Sequence, residues 1–163
     1  MTVGDRKIIP LLTYGWVDHS ETSLKGIHTS SDAIRAYVQS PEFGTSFVGP
    51  NRDVAPNIHG PFRRECILES DFEPISRDQF RARIAAIRQT EGFAVKVPRE
   101  EWDPVEKIVG IIADRNTSFY ALRFTEKDKP LRHEWGSVLE LFREFICFPE
   151  EYGVMDRLIF GYD

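Results

Sequence analysis

The sequence predicts an α+β fold: a single domain over residues 1–163, built as a mainly antiparallel sheet with two or three helices packed on it. Three observations predict it. The chain has 163 residues, of which 41% are hydrophobic and 29% charged, a length and balance that suit one self-supporting core. Short apolar runs rich in β-branched and aromatic residues are interspersed with segments whose apolar positions recur at helical spacing. Two of those runs, residues 107–113 and 118–125, flank the turn chemistry of residues 114–117, which reads as a hairpin and so as antiparallel pairing.

Each element has its own reason. Residues 7–14 read as a first strand, with Pro10 placing it at an edge or a bulge. Residues 15–30 are polar and read mostly as loop. Ser30, Ser31 and Asp32 offer N-cap chemistry, and Ala33, Ile34, Tyr37 and Val38 then follow helical spacing up to Ser40-Pro41. Residues 41–62 carry four prolines and three glycines and read as a long irregular segment, pinned by Phe43, Phe47, Val48, Val54 and Ile58. Residues 63–70 read as a strand. Ser76 and Gln79 form a capping box ahead of Phe80, Ile84 and Ile87, a helix running to about Thr90, with Gly92 as its stop. Residues 93–97 read as a strand and residues 99–104 as a polar link. The spacing of Val138, Leu141, Phe142 and Phe145 predicts a helix over 133–148, ended by Pro149. Residues 158–160 read as a short last strand.

The net charge is −5, which argues against general binding to nucleic acid, since neutralising phosphates calls for a basic excess. The acidity is concentrated late: residues 126–163 hold nine acidic groups against five basic ones, whereas residues 63–99 are net positive. Cys66 and Cys147 both lie in apolar surroundings and read as buried free thiols. The opening residues lack a signal-peptide pattern, and no apolar run has the length of a membrane span. A cytoplasmic protein that does not engage a membrane is expected.

The side chains that could carry chemistry are dispersed. His19, His28, His59 and His133 fall at no metal-ligand spacing. His133-Glu134 begins like a zinc-binding helix, but Ser137 stands where the second histidine would be. The nucleophile-elbow and glycine-rich phosphate patterns are absent. Arg77, Arg81 and Arg88 share a stripe beside the apolar face of their helix, as at interfaces or on solvated helix surfaces. Trp16, Trp102 and Trp135 each sit in a polar context near the end of an element, a placement typical of interface anchors and of half-buried core caps. No catalytic residue, metal or cofactor is expected.

Two function classes follow. The first is a non-enzymatic protein-binding domain of inhibitor type that masks a basic partner such as a toxin. Its binding residues would be Trp16, Trp102 and Trp135 with Glu134, Glu140, Glu144, Glu150, Glu151 and Asp156, the acidic groups steering a basic face and the aromatics anchoring it. In general composition the chain resembles small acidic immunity proteins, which block cognate toxins, although it carries no motif of such a family. The second class is a small enzyme whose site gathers dispersed residues, with His59, His133, Cys66 and Arg64 as first candidates. Composition does not fix the oligomeric state.

Overall fold

The computed structural model describes residues 2–47, 54–91, 96–123, 134, 139–151 and 153–162. Strands β1 (Thr2–Leu11) and β2 (Gly15–Ser23) pair as an antiparallel hairpin. β1 is an outer strand of its sheet, the position where Pro10 is tolerated because a missing N–H leaves no ladder bond unmade. β2 corrects the loop expected over residues 15–30. Its polar run stays in a strand because Asp18, His19 and Glu21 find charged partners in the fold, Arg6, Asp156 and Arg115. Helix α1 (Ser30–Gln39) falls where its spacing predicts, but the cap is Thr29, whose hydroxyl accepts the Asp32 N–H at 3.1 Å. It buries Ala33, Ile34 and Tyr37.

The segment after α1 is largely irregular, as expected. It holds a 3₁₀ turn at Pro41–Phe43 and a small ribbon of β3 (Ile58–His59) and β4 (Phe62–Arg63). Phe43 and Phe47 are buried and pin it, whereas Val54 is exposed; Val48 lies outside the described residues. At the ribbon's turn Gly60 has φ +52°, and a Cβ there would lie 2.6 Å from the Phe142 ring. The strand expected over residues 63–70 is instead two 3₁₀ turns, Arg64–Cys66 and Glu69–Asp71. The Arg64 guanidinium donates to the carbonyls of Val38 and Ser40 at the end of α1, at 2.9 and 2.8 Å, and Asp71 accepts the Leu68 N–H. These local bonds hold the chain in turns.

Strand β5 (Phe72–Ile75) leads into α2 (Arg77–Ala86), whose capping box forms as read: Ser76 accepts the Gln79 N–H and Gln79 accepts the Ser76 N–H. A π-helical turn, Ile87–Glu91, follows. The strand expected over 93–97 falls mainly outside the described residues. The polar link and the first hairpin strand are both overturned, because residues 99–115 form one helix, α3 (Arg99–Arg115), continuing through Pro104. Trp102, Val105, Ile108, Val109, Ile112 and Ala113 are buried while Ile111 is 58% exposed, a pattern that fits a period of 3.6 and breaks an alternation of two.

Strand β6 (Ser118–Leu122) is followed by β7 (Leu141–Phe148) and β8 (Val154–Tyr162). β7 overturns the helix expected over 133–148; residues 133 and 135–138 are outside the described residues. Its apolar run is continuous because both faces of the sheet are covered. Leu141, Phe145 and Cys147 join the core under α2 and α3, while Phe142, Ile146 and Phe148 join the core under α1 and the irregular segment. β8 extends the expected residues 158–160 in both directions.

The six long strands form one antiparallel sheet in the order β1-β2-β8-β7-β6-β5. With three helices packed on it, this is the expected single α+β domain. No helix among the described residues is long and apolar enough to cross a membrane.

Candidate functional site

Polar chemistry in this fold originates in the middle of the sheet. β2 and β8 pair so that Ser20 faces Arg157 and Glu21 faces Asp156. Successive strand residues point to opposite faces, so Asp18-His19 on β2 and Asp156-Arg157 on β8 each send one member to either side. Two clusters result, one per face.

On the α1 side the cluster is sealed. His59 and Glu144 have no exposed side-chain surface and meet through Nε2 and Oε2 at 2.6 Å. The His59 Nδ1 lies 2.6 Å from the Phe43 carbonyl oxygen, which can accept only, so Nδ1 carries a proton. The Phe43 ring stacks on the imidazole at 3.7 Å. Tyr37 donates its hydroxyl to Glu144 Oε1 at 2.5 Å, and Arg157 Nη1 donates to the Tyr37 oxygen at 3.3 Å. The Arg157 guanidinium also lies over the Phe47 ring, 5.3 Å from its centre, and Phe47 reaches this position with a left-handed backbone, φ 51°. Beyond Arg157 stands Asp18, 3.9 Å from Nη2, which Arg6 grips from the outer strand at 2.8 Å.

Burial pushes the Glu144 carboxyl upward, but the adjoining His59, by charge and by hydrogen bond, outweighs it together with Arg157 and Tyr37 and holds it below the usual carboxylate range. Burial, and then the charge of Glu144, push the Tyr37 hydroxyl well above its ordinary value, so it remains a neutral donor. The chain of contacts runs from the Phe43 carbonyl to Arg6. It ends at a group of buried atoms without a hydrogen-bond partner among the described residues: Asp18 Oδ1, Ser20 Oγ, and Nε and Nη2 of Arg157.

The second cluster lies at the C-terminal end of α3. Asp156 accepts His19 Nε2 at 2.8 Å, Asn116 Nδ2 at 2.8 Å, and both Nε and Nη2 of Arg115. Arg115 also reaches Glu21 at 2.6 Å. Burial raises the Asp156 carboxyl, and the bonds from His19, Arg115 and Asn116 more than reverse that. His19, Glu21 and Asp156 bring possible ligand atoms within 4.8 Å of one another, but the Arg115 guanidinium already bridges the two carboxylates. The residues do not fit a resident metal, since a second cation would have to displace a charge held by several hydrogen bonds. Cys147 pairs in register with Asp156; burial, then the neighbouring carboxylate, push its thiol well above the ordinary value, so it is a poor nucleophile.

The residues expected to bind a partner are not brought together. Trp16 is buried under the α1 side, and Trp102 is buried under α3, stacked near Phe160. Glu144 and Asp156 are each 1% exposed and belong to the two clusters. These four therefore present nothing to a partner, because the sheet interior pairs them. Glu134, Glu140, Glu150 and Glu151 are exposed, but Glu140 and the Glu150-Glu151 pair lie at opposite ends of β7, separated by eight residues of strand at about 3.3 Å each. Trp135 lies outside the described residues. Of the residues considered for an enzyme, His59 is sealed, Arg64 serves the end of α1, Cys66 is half-buried in a 3₁₀ turn, and His133 lies outside the described residues. His59, Arg64 and Cys66 share no hydrogen bond or ion pair. The arginine stripe of α2 is used internally as well: Arg77 donates to the Asn116 carbonyl, Arg81 pairs with Asp114 and Arg88 with Glu106.

The residues that sequence reasoning missed as a group are Tyr37, Asp18, Arg157, Arg115 and Asn116. Their signal was present as charged residues embedded in strands, Asp18 to Glu21 and Asp156-Arg157. A charge inside a two-sided buried strand implies a partner across the sheet. Geometry thus defines a two-sided α+β domain with its polar groups clamped internally. Comparison with protein-family models, with curated proteins and with solved structures found no match.

Proposed function

We propose that this chain is a non-enzymatic binding module of inhibitor type that holds a protein partner on its surface. One observation carries the reading. Among the described residues, the two histidine–carboxylate pairs are both tied up by other side chains of the fold, one sealed and the other partly exposed at His19. His59 and Glu144 are sealed at 0% exposure, and Asp156 is saturated by His19, Asn116 and Arg115. A general acid or base has to reach its substrate's proton within hydrogen-bond distance, and groups already paired within the fold serve rigidity instead. A rigid scaffold favours binding by lowering the entropy lost on association. The acidic balance of the chain, with Glu134, Glu140, Glu150 and Glu151 at the surface, suits a basic partner.

The test is to capture partners with tagged protein, then to titrate the retained protein calorimetrically across a salt series. A basic partner binding at one-to-one stoichiometry is expected. Its affinity should fall with salt and fall about tenfold or more on combined Glu140→Lys, Glu150→Lys and Glu151→Lys substitution. An affinity and a salt slope unmoved by the reversals would overturn the reading.

A further inference from the structure

One cleft touches the sealed cluster at Glu144 and is lined otherwise by residues outside both clusters. β6 pairs with β7 only from Ser118–Phe148 to Ala121–Phe145, whereas β7 continues back to Leu141 with β8 on its other side. At the end of β6 the Arg123 N–H bonds to the Asp71 carbonyl at 2.8 Å, extending the pairing with β5 rather than with β7. Where the two strands part, a cleft of about 250 Å³ opens beside α2. Its rim includes Ile87, the first residue of the π-helical turn, a backbone irregularity frequent at functional sites.

The lining combines two chemistries. Ile87, Leu122, Phe142 and Phe145 give it apolar walls, and Arg83, Arg123 and Arg143 line it together with two acids, Glu73 and Glu144. Arg83 and Glu73 pair at 2.6 Å near the surface. Glu144 also borders the cleft; its carboxylate is ionised, bonded to His59 and Tyr37 in the sealed cluster, and has Arg157 as a nearby counter-charge. Arg143 is half-buried, and its Nη1 donates to the Phe142 carbonyl at 3.0 Å. That bond orients the guanidinium and uses one of its five N–H groups. Three guanidinium groups against the carboxylates of Glu73 and Glu144 leave the cleft one positive charge in excess, in a protein whose net charge is −5.

We infer that this cleft is a binding site for a small organic anion, a carboxylate or phosphate group carried on a compact apolar body. The guanidinium fork matches the paired oxygens of such a head group. The apolar walls take the body, as in ligand sites where a few polar groups fix the orientation. The volume limits the ligand to roughly the size of one substituted aromatic ring. The inference does not depend on the protein-partner reading.

Phenyl phosphate, inorganic phosphate and phenol are the probes, each titrated into the intact protein and followed by calorimetry and by backbone amide NMR. Phenyl phosphate is expected to bind at least tenfold more tightly than either fragment and to shift the amides of residues 83–87, 121–123 and 142–145. Arg123→Gln and Arg143→Gln should each weaken it about tenfold while leaving the rest of the amide spectrum in place, and added salt should weaken it further. Failure of phenyl phosphate to bind at millimolar concentration, shifts located elsewhere, or affinity unchanged in the double variant would overturn the inference. Inorganic phosphate binding as tightly as phenyl phosphate would also overturn it, since the apolar walls would then contribute nothing.

Discussion

At the scale of single residues, Glu144 shows how a buried charge is made tolerable. An unpaired carboxylate in this position would take up a proton; His59, Tyr37 and Arg157 keep it ionised. The linkage has a definite sign. A carboxyl whose folded value lies below its unfolded value, here ordinarily 4.5, stabilises the fold fully above that pH. The contribution is lost as pH falls toward the lower folded value, because the unfolded chain binds the proton first. Asp156 acts in the same direction from its ordinary 3.8. Stability measured by urea unfolding is therefore expected to stay level near neutrality with respect to these groups and to drop below about pH 4.5. Glu144→Gln, which turns an amide N–H₂ toward His59 or Tyr37, should cost about 1–3 kcal/mol at pH 7 and flatten the acid limb. An acid limb identical to that of the unsubstituted protein would refute the assignment.

At the scale of elements, legibility depended on whether a segment's structure was set locally. The capping box at Ser76 and Gln79 and the helix after Thr29 are written in adjacent residues, and both were readable. β7 was not: the spacing of Val138, Leu141, Phe142 and Phe145 reads as one face of a helix, whereas Leu141 to Phe148 form a strand buried on both sides, a choice made by helices packed elsewhere in the chain. α3 was hidden by Pro104 and by the β-branched run around Ile108. Tertiary packing overrode both signals, as Trp102 and Ile112 fill the core beneath the helix. Three substitutions check the helical phase. Ile112→Ala should cost about 2–5 kcal/mol, Val109→Ala about 0.5–3 kcal/mol, and Ile111→Ala should stay within about 0.5 kcal/mol; an alternating strand would put Val109 on the exposed face with Ile111, so a silent Val109→Ala would refute the helix. The candidate site was less legible than the fold, since its members lie far apart in sequence: His19 and Asp156 are 137 residues apart.

At the scale of the whole molecule, the two cores are divided by a single sheet whose strands serve both. Cys147 lies within it and Cys66 near the surface, so the two thiols report on different events. A thiol reagent added to native protein is expected to modify Cys66 promptly and Cys147 only at the rate of global opening, accelerating with denaturant. Equal rates in water would contradict the packing of β7. The strand order carries a further consequence for how the chain reaches this state. β8 sits between the hairpin of β1 and β2 and the strands β7, β6 and β5, so the two halves of the sheet have no ladder joining them until residues 154–162 arrive. During synthesis the first hairpin must wait, its inner edge unpaired, while almost all the intervening chain is made. Loop closure over that separation raises the contact order and slows folding, and it leaves β2, with its run of charged residues, as the edge exposed to other chains in the interval. Asp18, His19 and Glu21 then act against strand-to-strand aggregation, before they serve as members of the two clusters.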